Sequence, residues 1–470
     1  MSGLFQGLEV GKRALASQQA WLQTIGHNIA NANTPGYTRQ RVSLVSTYPL
    51  KQPYGILGTG VTADGVYQVR DMFLNQQFRV ENKALGQWSA LDKTMSQIEA
   101  VFNEPNENSI SGLMDQFWSA WSDLGNNPEL DRSALVEQTN LLTDSMHRVY
   151  SELNELRRSV DTDIELVVES VNHIADEIAS LNRQISISEL GTDIANDLRD
   201  RRNYLVDELS SYVDVNTREQ KNGTLTVYIS SLAIVEQTSS FDIGINKEKS
   251  GSQVTSEIVW ANTDKVIKSY NGQLKGLVDT RDDIIPEYLE ALDDMTRSLV
   301  TNVNALHSTG FGWGGANGSG ETGHNFFDPS KTSAADIQIN PDLANDLNLI
   351  AASQTAEIGT DGDGRNALAI ADLKNVLLMS DNSLTIGERY NSLIGNIGVA
   401  TAKASNLKQN FELLVQQVNN RRQSIQGVSL DEEMAQMIKY QNAFDAASRV
   451  IVAMDEALST IIRMAADTTG

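Results

Sequence analysis

The chain has 470 residues, 40% of them apolar, which is enough for about two to four domains with folded cores. Its 37 basic residues against 61 acidic ones give a formal net charge of −24, so phosphate backbones repel it and no nucleic-acid partner is expected. The absence of cysteine excludes disulfides, thiolate catalysis and sulfur-rich zinc sites.

The first predicted element is a long amphipathic helix over residues 3–33. Its apolar residues recur at spacings of 3 and 4, as in a helix that packs along a partner, with Gly11 and Gln18 as interruptions. Asn33-Thr34-Pro35-Gly36 has strong turn chemistry and ends the helix. The periodic residues are Leu4, Leu8, Leu15, Leu22, Ile25 and Ile29.

The middle of the chain is predicted to be a helical rod with a small β-rich insertion. Residues 40–70 are interpreted as a short hairpin or extended linker, and residues 71–210 as mostly helical. A helix from about 132 to 187 would be long enough for a coiled-coil rod. Alternating apolar residues around Asn222-Gly223 predict a β-hairpin, which begins a β-rich segment over 212–272.

The last part of the chain is helical again. Ser429-Leu430-Asp431-Glu432 has the spacing of a capping box and predicts a helix start. The helix that follows has a second 4/3 pattern, and a lone helix cannot bury such a stripe. We therefore expect the two ends to pair with each other or with neighbouring copies. The periodic residues of this helix include Met434, Phe444, Ile451 and Leu458.

Both ends also carry motifs. The run Asn28 to Gln40, which contains Asn31, Asn33, Thr34, Pro35, Gly36 and Tyr37, resembles the N-terminal signature of flagellar rod, hook and hook-associated proteins. The tail from Gly427 through Tyr440 to Leu458 is similar to the C-terminal signature of the same axial family. The continuation Tyr37-Thr38-Arg39-Gln40 is most similar to the hook-associated members.

The resemblance implies a fold and a division into domains. The fold would be mainly α with a small β domain, a long helical or coiled-coil rod with paired N- and C-terminal helices, and discontinuous domains like those of flagellin. The predicted segments are an assembly domain at 1–65 plus 430–470, a rod domain at 66–211 plus 273–307 plus 361–429, a β-rich outer domain at 212–272, and a Gly-rich loop with irregular structure at 308–360.

The resemblance also implies a function and partners. The chain would be a structural subunit of the bacterial flagellum that joins hook to filament and assembles as a ring through its terminal helices. Its partners would be further copies, the flagellar hook protein, hook-associated protein 3 and an export chaperone. The subunit-assembly residues would be Leu8, Leu15, Leu22, Ile25, Ile29, Met434, Phe444, Ile451 and Leu458.

Export and location follow from the same resemblance. No apolar run approaches the ~18–20 residues that span a bilayer, so no membrane insertion is expected. Residues 1–13 lack the charged leader and apolar core of a secretory signal. Flagellar type III export would explain this, and would place the protein outside the cell.

Two alternatives remain open at this stage. One is a hook or rod subunit of the same family, although rod proteins are usually shorter. The other is an extracellular wall-degrading enzyme that carries axial helices, which would need a carboxylate pair or a zinc site in a cleft.

Two motifs have the letters of chemical sites but are interpreted as loops. The run Gly318 to Gly323 matches a dinucleotide fingerprint without the flanking strand and helix that would receive a pyrophosphate. The run that begins at Asp361 has the spacing of a calcium loop, but Arg365 stands where an oxygen ligand is needed. No catalytic residue, cofactor or metal site is therefore predicted.

Overall fold

Helices form most of the chain, and their apolar residues follow the helical period that the sequence predicts. The computed structural model describes residues 2–52, 55–103, 109–191, 193–250, 253–267, 270–314, 320–356 and 362–467. In chain order the helices are α1 (Ser2–Ala30), α2 (Met72–Phe102), α3 (Ile110–Asn126), α4 (Ser133–Ser188), α5 (Asn196–Tyr212), α6 (Gly272–Asp279), α7 (Ile285–His307), α8 (Pro341–Asn345), α9 (Arg365–Asp372), α10 (Ile386–Gln426) and α11 (Leu430–Asp467).

The strands form small antiparallel sheets. Strand β1 pairs with β4, β2 with β3, β5 to β8 form a four-stranded sheet, and β9 to β11 form a three-stranded one. Their bounds are β1 (Gln40–Ser46), β2 (Leu50–Gln52), β3 (Gly55–Leu57), β4 (Val61–Gln68), β5 (Val215–Glu219), β6 (Leu225–Ile229), β7 (Leu232–Glu236), β8 (Ser239–Ser240), β9 (Ile243–Ser250), β10 (Gln253–Trp260) and β11 (Lys265–Val266).

The contacts divide the chain into two units. Unit 1 consists of Met1–Gly86, Val167–Gly272 and Asn410–Gly470, and unit 2 of Gln87–Leu166 and Gln273–Gln409. Unit 1 therefore holds the predicted terminal assembly segment as well as the predicted β-rich segment. The four-segment division drawn from the sequence stays a prediction. No helix within the described residues is both long and apolar enough to cross a membrane.

In unit 1 the four-stranded sheet is fastened to helices by buried side chains. Asn222-Gly223 makes the predicted turn, and Gly223 has a φ of +77°, which glycine adopts without strain. The Asn182 side chain donates to the Leu225 carbonyl (2.7 Å) and accepts from the Leu225 amide (3.0 Å), as a neighbouring strand would. Arg202 donates to the Asn182 side chain and to the Gly223 carbonyl, so α4, α5 and the hairpin form one hydrogen-bonded cluster.

In unit 2 an aromatic cluster fills the core. The rings of Phe117 and Phe326 are fully buried, and Phe326 meets Trp121 edge-on with centroids 4.9 Å apart. His307 lies beside them with its Nδ1 2.7 Å from the His324 carbonyl, and its Nε2 accepts from the Ala351 amide. Burial lowers the pKa of His307 to about 4, so this histidine is neutral and structural.

Replacement of Phe117 by alanine should destabilise unit 2. The ring contacts four other aromatic rings, so its loss leaves a cavity and should cost about 3–5 kcal/mol. Urea unfolding followed by tryptophan fluorescence measures the shift in midpoint. Phe73→Ala is the matched control because Phe73 is exposed. Equal midpoints for the two variants would contradict the assignment of this core.

Candidate functional site

The two terminal helices pack against each other in antiparallel directions. Positions 7, 11, 21 and 28 of α1 meet positions 454, 451, 440 and 433 of α11. Each set advances in steps that keep one face of the helix toward the partner. The predicted pairing of the chain ends is therefore confirmed, although these contacts lie in unit 1 of a single chain.

Glycine permits the close approach of the two helices in the half of the pair that is nearer the chain ends, which we call the outer part. A Cβ at Gly7 would lie 2.8 Å from Met454 Cε, and a Cβ at Gly11 would lie 2.7 Å from Ile451 Cγ1. Real Cβ atoms do not approach so closely, and small residues at a helix interface allow side chains of the partner to reach the backbone. Gly11, which the sequence pattern presents as an interruption, is thus a contact point.

Aromatic packing holds the inner part of the pair. The rings of Trp21 and Tyr440 stack with centroids 4.5 Å apart and planes 12° apart. Trp21, Ile25 and Val42 form a buried cluster, which Met437 joins from α11. This cluster places α1 between α11 and the β1–β4 ribbon, so both faces of its inner half are covered.

Asn28 connects this helix pair with the segment that follows α1. Its Nδ2 donates to the Gln40 carbonyl (2.9 Å) and to Glu433 Oε2 (3.0 Å). Its Oδ1 accepts from the Tyr37 hydroxyl (2.8 Å) and from the Gln40 amide (2.9 Å). Asn28 and Glu433 are both buried, and the Asn28 amide uses both donors and both lone pairs.

The family-motif residues form the turn between α1 and β1. The Thr34 amide and hydroxyl donate to the Asn31 carbonyl and to Asn31 Oδ1, and the Tyr37 amide donates to the Thr34 carbonyl. Gly36 has a φ of +78°, and a Cβ there would lie 2.8 Å from Tyr204 Cβ, so both backbone and space require glycine. The side chains of Asn33 and Pro35 are exposed.

The backbone after the turn is tied to three helices. The Thr38 amide donates to Asp200 Oδ2 on α5 (3.0 Å), and the Arg39 amide donates to the Gln426 carbonyl at the end of α10 (2.8 Å). The Arg39 guanidinium pairs with Glu432 in the first turn of α11. The motif therefore positions the start of α11 relative to α1.

Two ionisable side chains in this region, Asp200 and Tyr37, have raised pKa values. Burial raises the pKa of Asp200 to about 6, against opposing hydrogen bonds from Thr38 and the charge of Arg70. Burial also raises the pKa of Tyr37, with further contributions from Asp197, Asp200 and Glu433. The Tyr37 hydroxyl therefore stays protonated and donates a hydrogen bond to Asn28 Oδ1.

The structure places the predicted assembly residues in three classes of exposure. Ile25 is fully buried within the chain, and Met434 is 51% exposed. The half-buried ones are Leu8, Leu15, Leu22, Ile29, Phe444, Ile451 and Leu458. Nothing in a single chain tests whether they contact other subunits, so their role in assembly stays a prediction.

The sequence pattern missed several residues at the centre of the helix pair. The sequence pattern gives no role in the pairing to five residues that contact the other helix. They are Trp21, Asn28, Glu433, Tyr440 and Met454. Of the predicted α11 positions, Ile451 contacts α1, and Phe444 and Leu458, seven residues before and after it, lie on the same face of the helix, whereas Met434 lies on a neighbouring face. The large aromatic residues Trp21 and Tyr440 were a signal for these contacts, since aromatic side chains bury large areas where they stack.

The capping box at Ser429 is formed in part. The Ser429 hydroxyl accepts from the Glu432 amide at 3.4 Å, as an N-cap does. The Glu432 carboxylate, which would return to the cap in a full box, binds Arg39 instead. The helix start is therefore as predicted, but its glutamate connects α11 to the N-terminal motif.

Of the two loop motifs that resemble chemical sites, the one that contains Asp363 forms contacts within the fold. Gly318, Ser319 and Asp361 lie outside the described residues. Asp363 accepts hydrogen bonds from Ser353, Thr355 and Arg365, and the Arg365 contact lowers its pKa. The described residues contain no group of three or more histidine or acidic side chains placed to hold a metal ion.

Comparison with curated proteins finds relatives that match nearly the whole chain. The flagellar hook-associated protein 1 of Bacillus subtilis is 31% identical over 98% of this chain and 98% of its own length. The chain belongs to the flagellar hook-associated protein 1 family. Proteins of the same name in Escherichia coli and Salmonella typhimurium are 24% and 23% identical over 96% and 93% of this chain, and over 98% and 96% of their own lengths.

Family models agree with this membership, and a solved structure has a similar fold. The flagellar hook-associated protein FlgK helical domain matches residues 95–327. The flagella basal body rod protein model matches residues 8–38, and the flagellar basal body rod FlgEFG protein C-terminal model matches residues 422–464. The flagellar hook junction protein FlgK from Burkholderia pseudomallei has a similar fold, with a TM-score of 0.60 and 15% identity over 75% of this chain and all of that one.

Membership in the hook-associated protein 1 family settles the class of protein. The chain is a structural component of the bacterial flagellum and not an enzyme, as predicted. The mainly α fold with small sheets and paired terminal helices is also confirmed. A role in joining hook to filament is consistent with the family's name.

Gly11→Val should separate the outer parts of α1 and α11. The new side chain would overlap Ile451, so the amides of residues 445–458 should exchange with deuterium at least about tenfold faster. Hydrogen exchange with mass spectrometry measures this. Gly26→Val is the matched control, because Gly26 lies on the same helix and a Cβ there would have no neighbour within 4 Å. Equal exchange in the two variants would contradict the close packing at Gly11.

Asp200→Asn should flatten the pH dependence of stability in the acid range. The pKa is about 6 in the folded chain and 3.8 ordinarily, so folding favours the protonated carboxyl. Its contribution to the free energy of unfolding therefore falls as pH rises from about 4 to about 6, by something on the order of 3 kcal/mol. The asparagine variant should lack this fall and still accept from the Thr38 amide.

Urea unfolding at a series of pH values tests the prediction for Asp200. The matched control is Asp193→Asn, which removes the same charge from an exposed position in the preceding loop. A wild-type pH profile in the Asp200 variant, or an equal change in both variants, would rule out Asp200 as the cause.

Proposed function

We propose that the chain is a subunit of a ring between flagellar hook and filament, and that its paired terminal helices hold the ring together. Family membership supports a structural place in the flagellum. The observation that carries the role of the ends is that α1 and α11 pair and still expose large apolar side chains, which marks an interaction surface. These side chains are Phe5, Leu430, Met434, Ile438, Val450, Val452, Ile461, Ile462 and Met464.

Within this proposal the predicted residues have distinct tasks. Leu8, Leu15, Leu22 and the half-buried residues of α11 contact neighbouring subunits. The motif from Asn31 to Tyr37 fixes the bend between α1 and the next segment, since Gly36 fits only as glycine and Tyr37 binds Asn28. Segments 1–65 and 430–470 form the assembly domain.

The proposed neighbours follow from the position in the flagellum. They are the hook protein on one side, hook-associated protein 3 on the other, and further copies within the ring. An export chaperone is included because the exposed apolar residues of α11 need cover before assembly. The chain would leave the cell through the flagellar type III apparatus and act outside it.

Deletion of the gene followed by electron microscopy tests the position. The expected result is hooks without filaments, with flagellin released into the medium, because the filament would have no base on the hook. Loss of hooks would favour the alternative of a hook or rod subunit, and normal flagella would overturn both.

Leu22→Asp, expressed in the deletion strain, tests the role of the terminal helices. A charge on this half-buried position of α1 should lower incorporation at least about tenfold, because burying an unpaired carboxylate is costly. Circular dichroism of the purified variant should show a folded chain. Val399→Asp is the control, since it adds the same charge at an exposed apolar residue of unit 2. Normal incorporation of Leu22→Asp would contradict the proposal.

A further inference from the structure

A hairpin between β1 and β4 exposes apolar side chains on both of its faces. In the β2–β3 pair, Leu50 lies opposite Leu57, and Ile56 lies opposite Lys51. Ile56 is 73% exposed and Tyr48, which precedes β2, is 95% exposed. A two-stranded hairpin of this kind is marginal in water by itself. We call Tyr48, Leu50, Ile56 and Leu57 the hairpin tip.

The base of this hairpin is firmly held. The Thr59 hydroxyl lies 2.6 Å from the Thr47 hydroxyl and 2.6 Å from the Tyr48 carbonyl. Arg13 on α1 donates to the Thr59 carbonyl at 3.2 Å, and a Cβ at Gly60 would touch Val10. The exposed tip therefore projects from a fixed point on α1.

A matching apolar surface lies on α11. Leu430, Met434 and Ile438 are spaced four residues apart, on a side of the helix next to the one that contacts α1, and each is about half exposed or more. We call these three residues the α11 stripe. The exposed carboxylates of Asp431 and Asp445 flank this stripe, and the hairpin carries the exposed, positively charged side chain of Lys51. Charge and apolar character are thus complementary between tip and stripe.

Within one chain, the hairpin tip and the α11 stripe lie at different positions along α1. The base of the hairpin contacts α1 at Val10 and Arg13, whereas the start of α11 contacts α1 at Asn28. These points are about 25 Å apart along α1, at about 1.5 Å per residue. A second copy displaced by about that distance along the helix pair would bring one tip to the other stripe.

We infer that the hairpin tip of one copy packs on the α11 stripe of the neighbouring copy, with Ile56 at the centre of the contact and Lys51 beside an acidic residue of α11. The inference rests on the proposed ring and names the surfaces that its subunits use. Because each copy carries one tip and one stripe, the contact is head-to-tail and can continue around a ring.

Disulfide cross-linking in assembled flagella tests the contact. The chain has no cysteine, so Ile56→Cys combined with Ile438→Cys introduces one defined pair. Mild oxidation of isolated hooks with filaments should give dimers and higher multimers on a denaturing gel, and neither single variant should give multimers beyond a dimer. Ile56→Cys with Leu190→Cys is the matched control, because Leu190 is 85% exposed outside the stripe.

Ile56→Asp provides a second measurement. It should lower incorporation at least about tenfold, whereas Leu190→Asp should incorporate like the unaltered chain. Absence of the unaltered chain from isolated hooks with filaments would refute the proposed function. Presence of the chain, normal incorporation of Ile56→Asp and no cross-link would refute the tip contact alone. Cross-links from position 56 to a different flagellar protein would also overturn it.

Discussion

The hydrogen bond between Asn28 and Glu433 joins two side chains that lie 405 positions apart in the sequence, and the arrangement of the terminal region depends on it. The same amide binds Tyr37 and both backbone groups of Gln40, so helix pair, turn and first strand share one point. A shift of register would leave buried polar groups unpaired, at about 1–3 kcal/mol each. Apolar contacts alone would tolerate such a shift, so this polar cluster makes the pairing specific.

The two ends of the helix pair differ in how far other parts of the chain cover them. Near Asn28 it is covered on several sides by the β1–β4 ribbon, by Trp21 and by the backbone after Gly36. Toward Gly7 and Met454 the contact consists of backbone against side chain, and the α11 residues around it are exposed. Under the proposed function the covered faces orient the ends within one subunit, and the apolar residues of α11 that stay exposed along its length are available to the next.

The ends and the middle of the chain carry different information about the family. The models that match residues 8–38 and 422–464 are those of rod proteins, so the motif around Pro35 and the tail of α11 mark axial proteins in general. The hook-associated helical domain matches 95–327, where aromatic packing around Phe117 and Phe326 forms the core. The two chain ends thus mark the wider axial family, while the middle distinguishes one member from another.

From the sequence alone one obtains the helices, the hairpin at Asn222-Gly223, the turn at Pro35 and the pairing of the ends, because periodicity and turn chemistry are local properties. The family signature at Thr34 to Gln40 also identifies an axial protein without coordinates. Only the tertiary structure decides that Gly11 is a contact point, that Glu432 binds Arg39 and that Tyr440 faces Trp21. The reason is that a 4/3 spacing indicates which face of α11 is buried but not which side chains of α1 meet it, and that match depends on groups hundreds of residues away in the sequence.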